Sequence, residues 1–346
     1  MHALVRIELR YNPDHAAADA PPSSPQALSE EAYRARAVAL AQLIRPWVYR
    51  YGVGRQTRRV RYRRATTVLD PATDLCDESV GGVARLVDAV WVETLTDVRR
   101  MKSETSAEFK GASGFCYFTS GTYAPGMPWI VERVPGPTAS ICLLEPRTSP
   151  EHVFPAALDD VVATYMALLK TYDSSRIAIA GDSSGGGLAL GLCARLKILD
   201  VPMPACLVLM SPWTDLSCTL PSWTTNAGFD VLPPPEGLFN IPRSYLGPDH
   251  KIISLNNSLV SPACSPKGAF EGFPPTLIQV GGAEVLLDDA RVVAEKMEMD
   301  GCVVELQVYK DAIHFFQCFL GLTRSDVPAR ALDAAGSWIG RWMAGS

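Results

Sequence analysis

Arg176-Ile177-Ala178-Ile179-Ala180 runs directly into Gly181-Asp182-Ser183-Ser184-Gly185, and from there into Gly186-Gly187-Leu188-Ala189-Leu190-Gly191-Leu192-Cys193-Ala194-Arg195-Leu196. The first segment is a short apolar run of the kind that forms a buried strand, and the last has the composition of a helix. A serine on the tight turn between the two is pushed out above the sheet, and small residues two positions before and after it let the backbone bend without clashing. The helix that follows aims its N-terminal amides at developing negative charge. Two other readings exist, a passive serine in a glycine-rich turn and a nucleotide-binding loop. A Walker-type phosphate loop needs a lysine, which this stretch lacks. Ser183 is therefore read as a nucleophile.

An unassisted hydroxyl is a poor nucleophile, so a general base must follow, in the loop after the last strand of such a sheet. His314 occupies that place: Val308-Tyr309-Lys310-Asp311-Ala312-Ile313-His314 ends a strand and precedes Phe315 and Phe316. Among the other histidines, His2 and His15 fall near the start of the chain, His152 belongs to a different motif, and His250 lies in a long insertion. A carboxylate that orients the imidazole should lie between serine and histidine in chain order. Glu284, in Gly281-Gly282-Ala283-Glu284-Val285-Leu286-Leu287-Asp288-Asp289, is the first acid after a predicted strand, at the edge where open sheets place their sites. Asp288 and Asp289 fall in the next helix, where acidic residues ordinarily complement the helix dipole, and Glu284 is preferred to Asp288.

Outward from this centre, short apolar runs alternate with helical patterns from Gly114 onward. That alternation is the mark of a mostly parallel central sheet with helices on both faces. Strands are predicted at 115–118, 139–144, 176–180, 205–210, 276–280 and 303–309, and helices at 156–171, 184–198, 287–299 and 329–343. The section 212–270 is rich in Pro, Gly and aromatics, and its Trp213, Trp223, Phe229, Phe239 and Tyr245 suggest a lid or substrate loop over a bulky apolar ligand. Upstream, a proline-rich stretch precedes Ser29-Glu30-Glu31, which opens a helix stopped by Pro46. Residues 1–50 thus read as an N-terminal arm and 51–346 as a catalytic domain. The basic run Arg55 to Arg64 alternates with Val60 and Tyr62, which suits a charge-guarded edge strand better than a nucleic-acid patch.

These pieces together resemble the hormone-sensitive-lipase branch of the esterase and lipase superfamily. Beyond the nucleophile turn, the similarity rests on Ser149-Pro150-Glu151-His152-Val153-Phe154-Pro155-Ala156-Ala157-Leu158-Asp159-Asp160, on Ser211-Pro212-Trp213-Thr214-Asp215-Leu216-Ser217 and on Phe273-Pro274-Pro275-Thr276-Leu277-Ile278. The resemblance implies an α/β-hydrolase fold with a lid, and a serine hydrolase that cleaves a largely apolar carboxylic ester through an acyl-enzyme. It implies a Ser183, Glu284, His314 triad, with Glu284 standing where the family usually has Asp. By the same carry-over the amides of Gly121, Thr122 and Ser184 face the oxyanion. The family's loop there reads His-Gly-Gly-Gly or His-Gly-Gly-Ala, whereas this chain has Thr119-Ser120-Gly121-Thr122, implying a weakened or specialised oxyanion loop.

Bulk properties bound the alternatives. The 346 residues, 47% hydrophobic and 20% charged, fit one soluble globular unit. A net charge of -5 gives no general attraction to nucleic acid or anionic membrane. Residues 1–18 lack the continuous apolar core of a signal peptide, and no long apolar run predicts membrane insertion. Nine cysteines without a CxxC pair read as buried free thiols in a reducing, cytoplasmic setting. With five histidines and no ligand-like spacing, no metal is expected, nor any other cofactor. The expected partner is a small-molecule apolar ester, and a homodimer is left open. Two competing functions use the same scaffold: a non-hydrolytic enzyme (cyclase, isomerase or lyase) of a natural-product pathway, and a ligand receptor without turnover. Such a receptor lacks the base that His314 supplies.

Overall fold

A computed structural model describes residues 60–69, 85–94, 113–118, 139–144, 146–230, 232, 241–247, 254–319 and 326–343. The expected arm (1–50) and its helix, the loop 119–122 and Phe239 lie outside the described residues.

Eight strands form one sheet: β1 (Val60–Leu69), β2 (Arg85–Thr94), β3 (Ser113–Phe118), β4 (Ala139–Leu144), β5 (Ile177–Asp182), β6 (Cys206–Met210), β7 (Thr276–Gly281) and β8 (Val304–Tyr309). Their order is β1-β2-β4-β3-β5-β6-β7-β8. From β4 through β3 to β8 all pairings are parallel, while β2 runs antiparallel to both β1 and β4. Six of the strands follow the predicted apolar runs with ends shifted by a residue or two. Arg176, expected to begin β5, instead closes a 3-10 turn (Ser174–Arg176) capped by the Asp173 carboxylate, which accepts the Ser175 N–H at 3.0 Å. The edge strand read from the basic run exists as β1, beginning at Val60 and extending beyond Arg64 to Leu69. β2 was not anticipated.

The helices α1 (Ala156–Leu169), α2 (Ser184–Ile198) and α5 (Leu287–Met299) connect strands of the sheet, and α6 (Val327–Met343) follows β8. Period-two alternation along the central strands explains why helices cover both faces. Ile177 and Ile179 of β5, Leu207 and Leu209 of β6, and Ile278 and Val280 of β7 join one core with Leu158 and Val161 of α1, Leu192 and Leu196 of α2, and Val293 and Met297 of α5. The intervening Ala178, Ala180, Val208, Met210 and Leu277 are equally buried without joining that core. On their side α6 packs against β5, β6 and β7, and Gln279 of β7 donates to the Ala331 carbonyl of α6 at 2.7 Å.

Between β6 and β7 runs the long connection that the sequence reads as a lid. Among the described residues it contains two short helices, α3 (Ser222–Thr225) and α4 (Ile241–Leu246), and a 3-10 turn, Pro262–Cys264. Several of its aromatics are core and do not offer a ligand surface. Trp223 is buried with Val285 and Leu286, its ring 6.0 Å from that of Trp213, and Tyr245 packs against Phe154 at 5.9 Å. Phe229 alone of the described aromatics in this set stands out, at 71% exposed. The Ser149 to Asp160 motif meets the same connection where Phe154 N–H donates to the Tyr245 carbonyl at 2.7 Å. Asp160, buried at the other end of that motif, accepts from both the backbone N–H and the guanidinium of Arg147.

Candidate active site

The turn between β5 and α2 holds Ser183 at φ 53°, ψ -121°, a left-handed conformation that non-glycine residues rarely adopt. Such a backbone persists only where its surroundings over-determine it. Here the Ser183 N–H donates to the Met210 carbonyl and the Ser183 carbonyl accepts from Trp213 N–H, both at 2.9 Å. The glycines around it have steric causes. A Cβ at Gly181 would strike the Gly185 carbonyl, and one at Gly186 would lie 2.7 Å from Pro212 Cβ. The Ser-Pro-Trp segment at the end of β6 therefore presses on the first turn of α2 and fixes the serine from beneath. Ser184 begins α2, so its amide is among the first-turn N–H groups that have no carbonyl partner within the helix.

His314 arrives from the loop after β8. Its Nε2 lies 3.1 Å from Ser183 Oγ, and the residue is 9% exposed. Glu284 arrives from the loop after β7 and is fully buried. Its Oε2 is 3.7 Å from His314 Nδ1, longer than a hydrogen bond, and among the described residues neither Nδ1 nor Glu284 Oε1 has a hydrogen-bond partner. Burial pushes the Glu284 carboxyl above its ordinary value, against the pull of the His314 imidazole and the Ser211 hydroxyl.

The structure thus brings Ser183, His314, Glu284 and Ser184 to the carboxyl edge of the sheet. Gly121 and Thr122, assigned to the oxyanion loop by resemblance, lie outside the described residues, although β3 ends at Phe118 in register with Gly181, two residues before the serine. Asp288 and Asp289 do stand in the first turn of α5, but their carboxylates are engaged across the site and do more than complement a dipole. Asp288 accepts from Ser222 N–H at 2.9 Å and pairs with Arg291. Asp289 is fully buried and accepts from Thr214 N–H, Asp215 N–H and Trp223 Nε1. Burial raises its carboxyl to about 8 despite those three donors.

Three further residues reach the centre unread from the sequence. Ser211 Oγ donates to Glu284 Oε2 at 2.8 Å and accepts the Phe315 N–H at 2.9 Å, so one hydroxyl ties the acid to the backbone beside the histidine. Asn226 and Asp230, from the β6–β7 connection, bind the backbones of the acid and base loops. Ser211 belongs to a motif that the sequence offers, but its role there is invisible. Nothing in the sequence around Asn226 or Asp230 marks either. Among the described residues no group of three or more His, Cys, Asp or Glu side chains is arranged to hold a metal ion, and no helix is long and apolar enough to cross a membrane.

Residues 113–318 match the sequence family described as alpha/beta hydrolase fold. An acetyl-hydrolase of Streptomyces hygroscopicus is 34% identical over 230 residues, 64% of this chain and 74% of that one. An esterase of Acinetobacter venetianus is 39% identical over 172 residues, 49% of this chain and 55% of that one. Among solved structures, an esterase from the bacterial hormone-sensitive lipase family superposes with a TM-score of 0.67 at 26% identity, covering 93% of this chain and 94% of that one. A hormone-sensitive lipase from a metagenome library gives 0.67 at 28% identity, covering 90% and 97%. The sheet order, the strand-serine-helix turn and these similarities converge: the chain belongs to the α/β-hydrolase fold family, in its hormone-sensitive-lipase type.

Proposed function

We propose that this chain is a serine carboxylesterase in which Ser183 is the nucleophile, His314 its general base and Glu284 the acid that orients the imidazole. The observation that carries the reading is the 3.1 Å approach of His314 Nε2 to Ser183 Oγ, with a buried carboxylate behind the ring. In the first step Ser183 Oγ bonds to the ester carbonyl carbon while its proton passes to Nε2. Negative charge gathers on the carbonyl oxygen, where the Ser184 amide, with those of Gly121 and Thr122, stabilises it. Collapse breaks the bond to the alcohol oxygen, which leaves with the proton from His314. Water then attacks the acyl-enzyme by the same route in reverse, giving the carboxylic acid and free Ser183.

The substrate is a small molecule, a largely apolar carboxylic ester. Phe229 supports this, exposed one residue before Asp230, which hydrogen-bonds the His314 backbone. The section 212–270 is the lid over a catalytic domain of residues 51–346, and residues 1–50 are an appended arm. Free thiols at Cys142, Cys193, Cys206, Cys218, Cys264, Cys302 and Cys318 support residence in a reducing, cytoplasmic compartment. The test of the nucleophile is mass spectrometry after exposure to a fluorophosphonate, because labelling requires an activated serine and an anion-stabilising hole together. The adduct should map to Ser183 and vanish in Ser183→Ala; labelling that survives in that variant would falsify the assignment.

A further inference from the structure

His314 and Glu284 enter from loops after different strands, and their side chains are 3.7 Å apart, too far for a hydrogen bond to fix one against the other. Their relative placement therefore depends on the backbone. Two direct ties exist, Gly282 N–H to the Tyr309 carbonyl at 2.8 Å and Ala283 N–H to the Ala312 carbonyl at 2.9 Å, both on the near side of Glu284 and His314. The other ties come from the β6–β7 connection. Asp230, just beyond α3, accepts the His314 N–H on Oδ1 and the Val285 N–H on Oδ2, each at 2.8 Å. In the same turn Asn226 Nδ2 donates to the Glu284 carbonyl at 2.8 Å and to the Gly282 carbonyl at 3.3 Å. A single carboxylate thus spans the amide of the base and the amide that follows the acid.

The Asp230 charge lies close enough to Glu284 to oppose ionisation of that carboxyl. What a carboxylate supplies, and an amide cannot, is two acceptor oxygens facing two N–H donors. We propose that Asp230 is a positioning residue for the reaction: it joins the backbone of His314 to that of Val285, next to Glu284, and so holds base and acid in the relation that the triad needs. This rests on the triad reading given above. The simplest competing account is that Asp230 only stabilises two loops.

The experiment compares the parent with Asp230→Asn, which keeps one acceptor and turns an amide NH2 toward the second N–H, and with Thr224→Ala, an exposed control in the same turn. Each is measured well below its own Tm for kcat and KM on p-nitrophenyl butyrate and for the rate of Ser183 phosphonylation by a small fluorophosphonate. Displacing a catalytic group by about 1 Å costs up to ~100-fold, so kcat and the phosphonylation rate should fall together by about 10-fold to 100-fold, with KM changed by less than about 3-fold. Thr224→Ala should match the parent. Should Asp230→Asn not fold, Asp230→Glu keeps the charge and both acceptors one methylene further out, and the same loss is expected. A phosphonylation rate within about 2-fold of the parent in a folded variant overturns the proposal, whether or not KM rises. So does a loss that tracks Tm and disappears on cooling. A parent that is never labelled at Ser183 would instead overturn the triad reading, which keeps the two failures apart.

Discussion

His314 Nε2 and Ser183 Oγ lie 3.1 Å apart at the ends of loops from β8 and β5, joined across 131 positions of sequence. Groups that act as one unit lose activity together. Ser183→Ala and His314→Ala should each lower kcat/KM for a p-nitrophenyl ester by several orders of magnitude, and the double variant by no more than about the worse single change. Losses that multiply in the double variant would mean that the two side chains act independently and that the contact is incidental.

Glu284 and Asp288 make opposite forecasts. Glu284 is buried behind the imidazole, and Glu284→Gln presents an amide that can favour the wrong tautomer, which lowers kcat by up to about 10,000-fold in such triads. Asp288 holds Ser222 N–H and Arg291, so Asp288→Asn should leave kcat within about 3-fold and cost on the order of 1 kcal/mol in stability. Steady-state kinetics with urea unfolding of both variants checks the pair. Greater kinetic damage from Asp288→Asn would reassign the acid.

Ser211 offers a separate lever on the same carboxylate. Ser211→Ala removes the hydroxyl that donates to Glu284 Oε2 and strands the Phe315 N–H, both buried. Leaving a buried polar group unsatisfied costs about 1 to 3 kcal/mol, and the stability loss should fall in that range. With its remaining contact at 3.7 Å, Glu284 should also hold the imidazole less well, so kcat should drop while KM stays near the parent value. A variant of parental kcat would show that Glu284 keeps its place without the hydroxyl.

What the sequence makes legible is what is local. The turn at Ser183 reads correctly because strand and helix periodicities meet there, and α2 and α5 span the predicted 184–198 and 287–299. β2 is harder to read: although it pairs with the preceding β1 as well as with β4, an apolar stretch broken by Asp88 and Glu93 carries no strong period. Least legible are the supports of the site. Ser211 meets Glu284 across 73 positions, Asp230 meets His314 across 84, and Thr214 meets Asp289 across 75. Those contacts follow from how the β6–β7 connection folds over the sheet, and no local pattern encodes that. The same cause explains the tryptophans: Trp213 and Trp223 read as ligand-facing because their burial against Val285 and Leu286 is a tertiary fact.

The loop Thr119-Ser120-Gly121-Thr122 lacks the histidine and two of the glycines of its family's pattern. One misdirected oxyanion donor costs about 2.7 to 4 kcal/mol, or ~100-fold to ~1000-fold in kcat. Installing His-Gly-Gly-Gly at 119–122 should therefore raise kcat/KM for short p-nitrophenyl esters. No gain in a well-folded variant, beside brisk hydrolysis by the parent, would show that the natural loop is already competent. If neither hydrolyses any ester while Ser183 and His314 are still required for another reaction, a non-hydrolytic step on this scaffold is the better reading.

The buried acid also sets a pH dependence whose sign can be worked out. Burial is the largest influence on Glu284 and lifts its carboxyl above the ordinary 4.5, while the imidazole and the Ser211 hydroxyl act against it and the Asp230 charge adds to it. A raised value means that the folded protein holds the proton more tightly than the unfolded chain does. The stabilisation is fully present below about pH 4.5 and is lost as the pH rises toward the folded value. Glu284→Gln lacks this titration. The stability of the parent minus that of the variant should therefore fall as the pH rises above about 4.5, with a slope no steeper than about 1.4 kcal/mol per pH unit. Urea unfolding of both proteins as the pH is raised measures the difference directly. A difference that grows with pH would mean that the hydrogen bonds to the carboxylate outweigh its burial, and that Glu284 enters the reaction already ionised.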